Sequence, residues 1–333
     1  MPMPTQADLH VNVPLTNVSV AYMQSADAYI ATKVFPKVPV QHQSDLYWKY
    51  SKSDWRRTDV QRRAPSTETP GVGWNFTTDS YFCHVYGVHK DIDDQLRANA
   101  DSNFNLDSDA TKFITNQMLL KRDIDWAARF FTTGVWGTEY SGVASGPTGS
   151  QFLRWDDSGS DPLQDVSGWI VAYRQLTGFA PNYMVLGAYV MQALQNHPAI
   201  LDRIKYTQKG VITSDLIASF FNIPKLYVSY ATKASGPQIN DAVSQDAAAT
   251  YGFVADSKSA LIGYAPSGPS IMTPSTGYTF TWNGYNPTGN GEGIRVKSFR
   301  MEHIASDRVE AEMTYDMKVV APDMGIFLNT VVS

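Results

Sequence analysis

Residues 108–132 read SDATKFITNQMLLKRDIDWAARFFT. Ala110, Phe113, Ile114, Gln117, Met118, Lys121, Ile124, Ala128 and Phe131 recur there at spacings of three and four, the period of one helix face. Neither Gly nor Pro interrupts the run before Gly134, and Asp107 or Ser108 offers an N-cap, because a short polar side chain can accept from the unpaired N–H groups of the first turn. The pattern predicts one continuous amphipathic helix over 108–132, roughly 40 Å long at 1.5 Å per residue. That is about twice the length of a mean globular helix and marks a spine. Its Phe113, Ile114, Met118, Ile124 and Phe131 stripe is expected to pack on strands from the C-terminal part of the chain.

Upstream of the spine, Asp91, Asp93, Asp94 and Asp101 give residues 91–106 an acidic start. Residues 45–88 read as two strands around a long turn. Leu46, Trp48 and Tyr50 alternate with Tyr47, Lys49 and Ser51, and a second alternating run covers Trp74–Val88. Between them lies the polar stretch Ser53–Gly73, with Arg56, Arg57, Arg62 and Arg63 and with Pro65, Pro70, Gly71 and Gly73. Such a tip has few apolar side chains with which to fold onto its own domain. Residues 1–44 are broken by Pro2, Pro4, Pro14, Pro36 and Pro39, and helices tolerate proline only in the first turn. They read as an extended arm with one short helical piece at Ser25–Lys33.

Downstream, Gly, Ser and Asp make residues 134–162 loop-like. Residues 163–265 carry an α+β pattern: helices over Leu163–Thr177, Tyr189–Gln195, Pro198–Tyr206 and from the Thr213 cap to Phe221, and strands at Tyr183–Leu186, Leu226–Tyr230, Thr250–Val254 and Ala260–Tyr264. The C-terminal stretch is β again. Tyr278–Trp282 is expected to pair with Ile294–Phe299 across a Gly-rich loop, followed by a long strand at Arg308–Val320 and a last apolar one at Ile326–Val332. The organisation is therefore α+β in five parts: arm 1–44, extended β-hairpin 45–90, spine region 91–162, compact α+β unit 163–270 and returning strands 271–333.

Composition narrows the function. At 333 residues with 43% hydrophobic side chains a large core is available and wholesale disorder is excluded. Only 18% of residues are charged, against about 25% in typical domains, while 12% are aromatic. A chain poor in charge and rich in Tyr and Trp suits interface cores and points to an obligate assembly. The net charge of −5 argues against a dedicated nucleic-acid binder. A single cysteine, Cys83, excludes an internal disulfide and a Cys-rich metal site. No signal-peptide pattern opens the chain, and no 18-residue apolar run suggests a transmembrane helix.

The usual chemistry is missing. The sequence holds no H-E-x-x-H, G-x-S-x-G, G-x-x-x-x-G-K-[ST] or G-x-G-x-x-G motif, and Gly284–Gly293 reads as a hairpin tip. Cys83 and His84 are adjacent on an alternating strand and so face opposite ways; the cysteine reads as packed, or as part of an interface. His84 and His89 likewise diverge, and His10, His42, His197 and His303 are scattered, so neither a metal nor another cofactor is expected. Asp91, Asp93 and Asp94 fail the calcium-loop pattern, because Gln95 and Leu96 occupy its fifth and sixth positions. They read as a solvated or interface patch.

The segment Arg56–Arg63 carries a local charge of +3, and residues 91–109 hold six Asp and one Arg, a charge of −5. Docking of the arginines on the acidic segment of a neighbouring copy ranks first, a charged tip that keeps a sheet edge soluble second, and nucleic-acid binding third. Arg56, Arg57, Arg62 and Arg63 are thus candidate intersubunit contacts, with Asp93, Asp94 and Asp101 as partners.

The order arm, β-excursion, spine helix, α+β unit and returning strands resembles the major capsid protein of tailed double-stranded-DNA phages, the Hong Kong ninety-seven-type capsid fold. Local similarity lies in Phe35-Pro36-Lys37-Val38-Pro39-Val40, in Pro181–Gly187 followed by His197-Pro198, and in Ser259–Ala265. In that family the parts are the N-arm, E-loop, peripheral domain and axial domain. The resemblance implies a non-enzymatic subunit that self-assembles into pentamers and hexamers of an icosahedral head. It implies as partners a separate scaffolding protein, a portal, a decoration protein and packaged DNA bound without sequence specificity. No membrane is involved; the place is the virion, and the host cytoplasm during assembly. The charged scaffolding extension of some members is not seen before Met1, and Lys49 and Lys52 have no motif that identifies a cross-link acceptor. Two other readings stay open: an encapsulin-like nanocompartment shell, and a carbohydrate-binding or carbohydrate-active β-rich protein. The second would use the eight Trp for sugar stacking and two carboxylates for hydrolysis, but no Trp–carboxylate constellation emerges from the sequence.

Overall fold

The computed structural model describes residues 24–100, 105–204, 212–237, 242–268, 273–285 and 293–333. The fifteen strands among them are β1 (Lys37–Val40), β2 (Ser44–Tyr50), β3 (Phe76–Phe82), β4 (His84–Asp93), β5 (Thr138–Val143), β6 (Gln151–Leu153), β7 (Tyr183–Gly187), β8 (Lys225–Ser229), β9 (Thr232–Ser235), β10 (Thr250–Phe253), β11 (Ala260–Gly263), β12 (Gly277–Trp282), β13 (Ile294–Met301), β14 (Ser306–Val319) and β15 (Gly325–Asn329). The eight α-helices among them are α1 (Ala31–Val34), α2 (Asp94–Asn99), α3 (Leu106–Phe130), α4 (Pro162–Thr177), α5 (Ala188–Asn196), α6 (Pro198–Ile204), α7 (Ser214–Phe221) and α8 (Ala242–Ala248).

The spine is the single helix α3, of 25 residues. It begins two residues earlier than the apolar pattern suggests, because Asn105, and not Asp107 or Ser108, caps it by accepting from the Ser108 N–H at 3.1 Å. Ala110, Ile114, Met118, Trp126, Ala127 and Phe130 are its buried apolar positions, and the helix packs chiefly on β14 and β4. Phe113 departs from the expected stripe. It is exposed, and the Lys90 ammonium lies 5.9 Å from its ring centre, so it meets a cation at the surface and not the core.

β14 organises the first sheet. Its Ser306–Met313 stretch pairs antiparallel with β13 on one edge and with β4 on the other, and its Asp316–Val319 end pairs with β12. β12 and β13 do not pair with each other as expected; both use β14, which at 14 residues is the longest strand among the described residues. β1 adds in parallel beside β12. It carries Pro39 on the sheet margin, where the missing N–H costs no ladder bond. The core between this sheet and α3 also takes in Tyr29, Ile30, Ala31, Val34 and Phe35 of the N-terminal segment. A short 3-10 turn at Ala26–Ala28 and α1 stand where one helical piece was expected. Gly277 makes room for Phe35: a Cβ there would lie 2.5 Å from the phenyl ring.

The second sheet runs β6-β5-β15-β11-β7-β8, with α4 to α7 packed around it. Two expectations change here. The loop-like 134–162 region contains β5 and β6, whose parallel pairing with β15 and with each other supplies their order. The last strand, β15, sits inside this sheet and not among the strands of the first. Gly325–Leu328 are buried throughout, and a strand apolar on both faces belongs in the middle of a covered sheet.

The second alternating run also divides. β3 pairs only with β2, forming a separate hairpin, whereas β4 joins β14. The break is at Cys83, whose N–H donates to the Gln43 carbonyl at 2.8 Å. Alternation alone does not mark where a strand changes sheets.

Candidate functional site

The hairpin β2–β3 has two unlike faces, as pleating requires. On one, Tyr47 and Lys49 both donate to Asp79 Oδ2, at 3.0 and 2.7 Å, and the lysine holds that carboxyl below the usual range. Tyr47 and Tyr81 pack on Phe280 of β12, with ring centres 5.3 and 4.6 Å away. Cys83 is buried beside them, donates to the Phe280 carbonyl, and has its thiol pushed up to about 12 by burial. This is the expected packed cysteine, unsuited to thiolate chemistry.

The opposite face carries Leu46, Trp48, Phe76 and Phe82. All four are exposed, Leu46 and Trp48 by about 60%, and Trp48 and Phe76 lie 5.8 Å apart. Trp55 and Trp74 extend the exposed aromatic surface toward the tip. Two strands with one face bare are marginal by themselves, and a contiguous apolar patch on an extended arm marks a protein-binding surface.

Three of the four tip arginines make contacts within the chain. Arg56 donates from Nη1 to the Leu176 carbonyl at 2.5 Å and from Nη2 to the Gln175 carbonyl at 2.9 Å. Arg57 pairs with Asp59, and Arg63 donates to the Thr67 carbonyl. Arg62 is exposed. Of the acidic candidates, Asp93 caps α2 by accepting from Gln95 N–H, and Asp94 is held bidentately by Arg300 at 2.5 and 2.6 Å. Asp101 lies outside the described residues.

Asp94 belongs to an alternating network at one end of the first sheet. Arg308 grips Asp91 from the paired position across β14 and β4, at 2.7 and 2.8 Å. Arg97 of α2 bridges Asp107 of α3 and Asp307 of β14. These arginines hold Asp91, Asp94 and Asp107 below the usual carboxylate range. The acidic start of the spine region thus neutralises basic residues from β13 and β14 that the linear sequence places some 200 residues away.

One pair resembles a catalytic dyad. Ser160 Oγ lies 3.0 Å from His197 Nε2, and both residues are buried. His197 Nδ1, however, accepts the Ala199 N–H at the start of α6. A neutral imidazole with Nδ1 accepting carries its proton on Nε2 and donates to the serine, whose hydroxyl in turn donates a hydrogen bond to the Asp157 carbonyl at 2.7 Å. The histidine has no free acceptor with which to activate the hydroxyl, so the pair serves as a helix cap.

Ser160 borders a cavity of about 610 Å³ lined by Tyr140, Trp169, Asp157, Asp161 and Asp165 among others. This aromatic–carboxylate grouping did not emerge from the sequence, because its members come from several elements. Each carboxylate has a structural use: Asp157 accepts from Gly159 N–H, Asp161 caps α4, and Asp165 accepts from the Trp155 indole. Among the described residues no group of three His, Cys, Asp or Glu is placed to hold a metal ion, and no helix is long and apolar enough to cross a membrane.

No family model matches the chain. It is 25% identical over 227 residues to the major capsid protein of Burkholderia phage BcepMu, covering 67% of this chain and 70% of that protein. It is also 25% identical over 232 residues to the major capsid protein of Pseudomonas phage JBD67, covering 68% and 71%. Among solved structures, a phage-related protein from Bordetella bronchiseptica RB50 superposes with a TM-score of 0.68 at 20% identity, over 93% of this chain and 94% of that one. The capsid of cyanophage P-SCSP1u gives 0.58 at 11% identity, over 98% of both chains. The SrpI encapsulin of Synechococcus elongatus gives 0.54 at 9% identity, over 96% and 95%. The fold is the α+β Hong Kong ninety-seven-type capsid fold.

Proposed function

We propose that this chain, a relative of phage major capsid proteins, is the shell subunit of a tailed-phage head. It assembles with copies of itself into pentamers and hexamers of an icosahedral capsid around double-stranded DNA. The observation that carries the reading is the bare apolar face of Leu46, Trp48, Phe76 and Phe82 on a hairpin whose other face packs on Phe280. Symmetric closure would cover such a face on every copy at once. The same proposal includes a separate scaffolding protein, a portal and a decoration protein as partners, and assembly in the host cytoplasm. The subunit is not an enzyme in this reading, consistent with the protonation pattern of Ser160 and His197.

The tip arginines, Arg62 and Arg63 above all, are proposed as intersubunit contacts. Asp93 already caps α2 and Asp94 pairs with Arg300, so reversing those aspartates would perturb the subunit itself. Arg62→Glu with Arg63→Glu is the cleaner test. It should block assembly and leave subunit melting unchanged; normal assembly of the double variant would remove these residues from the interface.

Negative-stain microscopy of the purified protein tests the main reading. Spheres, tubes or capsomers are expected, and a monomer at every concentration would refute it. The nanocompartment alternative is supported by the encapsulin-like fold. Nucleic acid inside shells recovered from the natural source would mark a phage head, whereas an enzyme cargo would mark a nanocompartment.

A further inference from the structure

The hairpin tip is held at two points on its own chain, and both use cations. Arg56 spans the Gln175 and Leu176 carbonyls at the end of α4. The last carbonyls of a helix lack intrahelical partners and form the negative end of its dipole, so a forked guanidinium fits there. The α4 chain reverses at Gly178 with φ of 79°, and a Cβ on that residue would stand 3.8 Å from the Arg56 guanidinium. Glycine therefore permits the left-handed turn, while a Cβ there would only touch the guanidinium. The second point is Lys52, whose ammonium donates to Asp323 Oδ2 at 2.6 Å, in the turn that leads into β15. Between the two contacts and the hairpin stem, the tip is closed by Ser51 N–H donating to the Asn75 carbonyl and by Asn75 donating to Asp54.

We propose that Lys52 and Arg56 form a latch that straps the excursion to the α4 end and the Asp323 turn of its own subunit, fixing the direction in which the apolar Leu46, Trp48 and Phe76 face is presented. The apolar side chains of residues 53–73 are few, with Trp55, Val60 and Val72 exposed and Trp55 edge-on to Tyr50 of the hairpin itself, so no apolar packing on the body replaces these contacts when they open. Each contact is exposed and individually weak, which makes the strap reversible. Arg56 is thereby assigned an intrachain role different from that of Arg62 and Arg63. The assignment concerns the single chain and does not rest on shell formation.

Paired spin labels measure the strap directly. Cys83 is buried, with its thiol pushed up to about 12, so it stays unlabelled. Labels go on Gln61→Cys at the tip and Val171→Cys on the exposed side of α4, in full-length chain diluted with unlabelled protein. A single narrow distance is expected, lost to a broad distribution in Lys52→Ala with Arg56→Ala and retained in Arg62→Ala. Asp323→Asn removes one leg only and should broaden the distribution partially. A narrow distance that survives the double substitution, or a broad one in the parent chain, overturns the latch. So does the same distance arising between chains that carry one label each, because the tip would then dock on a neighbour; that result would leave the shell reading intact.

Discussion

Phe35 is where the N-terminal segment is fastened, and its removal should be costly. Its side chain is wholly buried, with its ring centre 4.9 Å from that of Phe130 and 6.3 Å edge-on from that of Trp126. A buried aromatic side chain of about 200 Å² is worth roughly 5 kcal/mol at 25 cal/mol per Å². Measured Phe→Ala losses of about 3–5 kcal/mol agree. β1 follows two residues later and depends on its pairing with β12, so Phe35→Ala should also loosen that strand. Gly277→Ala attacks the same contact from the other side. The new Cβ would meet the phenyl ring at 2.5 and 2.6 Å and the Lys318 carbonyl at 2.8 Å, an overpacking of about 1–3 kcal/mol. Because the two positions touch, their effects should not add: Gly277→Ala should cost less in the Phe35→Ala background, by the share owed to the ring. Urea unfolding followed by tryptophan fluorescence reads all four corners of the cycle, with Trp126 beside the lesion. A Phe35→Ala loss under about 1 kcal/mol, or strict additivity, would refute the plug.

Acidification should loosen the first sheet before the second. Asp91, Asp94 and Asp107 are held low by Arg308, Arg300 and Arg97, so their contribution is present above the unfolded carboxylate value of about 3.9 and is lost as pH falls through their depressed folded values; protection of β4 and β14 amides that is unchanged there would contradict this. Asp123 has the opposite sign, since burial raises it despite two N–H donors from Ile30 and Ala31. Its contribution is full below the unfolded value and is lost as pH rises, so the stability gap between the parent chain and Asp123→Asn should shrink from acid toward neutral pH in urea titrations. Ser160→Ala should leave the buried Nε2–H of His197 without an acceptor and cost about 1–3 kcal/mol, and a fluorophosphonate probe should not label Ser160 in the parent chain; labelling at that residue would restore it as a nucleophile.

The spine was legible because its cue is local and long. Twenty-five residues hold one period, yet Phe113 and Ala128 lie outside the core, since period marks a face without marking where that face ends. The strands β5 and β6 carry no such cue. TEYSGV and QFL are short; β5 takes its order from parallel pairing with β15, nearly 190 residues away, and β6 from pairing with β5. The candidate site divides in the same way. That Leu46 and Trp48 share one face follows from alternation in the sequence; that the face is bare does not. That Arg56 reaches α4, that Arg300 takes Asp94 and that His197 meets Ser160 depend on contacts across 37 to 206 residues, for which single-sequence spacing holds no signal.

The distribution of charge and aromatic surface explains why one chain can be firm in its body and open along one arm. Arg300 of β13 and Arg308 of β14 find acids in α2 and β4, and Arg97 of α2 bridges the start of α3 to β14, so these charges are satisfied within the body. Its cores likewise take in Trp126, Trp136, Trp155 and Trp169. Of the other tryptophans, Trp48, Trp55 and Trp74 lie on the excursion, where with Phe76 they have no covering layer. Folding of one copy leaves that arm half-finished: the Tyr47 and Tyr81 face rests on Phe280 while the other face keeps its hydrophobic free energy in reserve. Burying that face on a neighbouring copy would release free energy at little conformational cost, because the hairpin is already ordered by its inner face, and rigidity before contact is what lets modest interfaces hold.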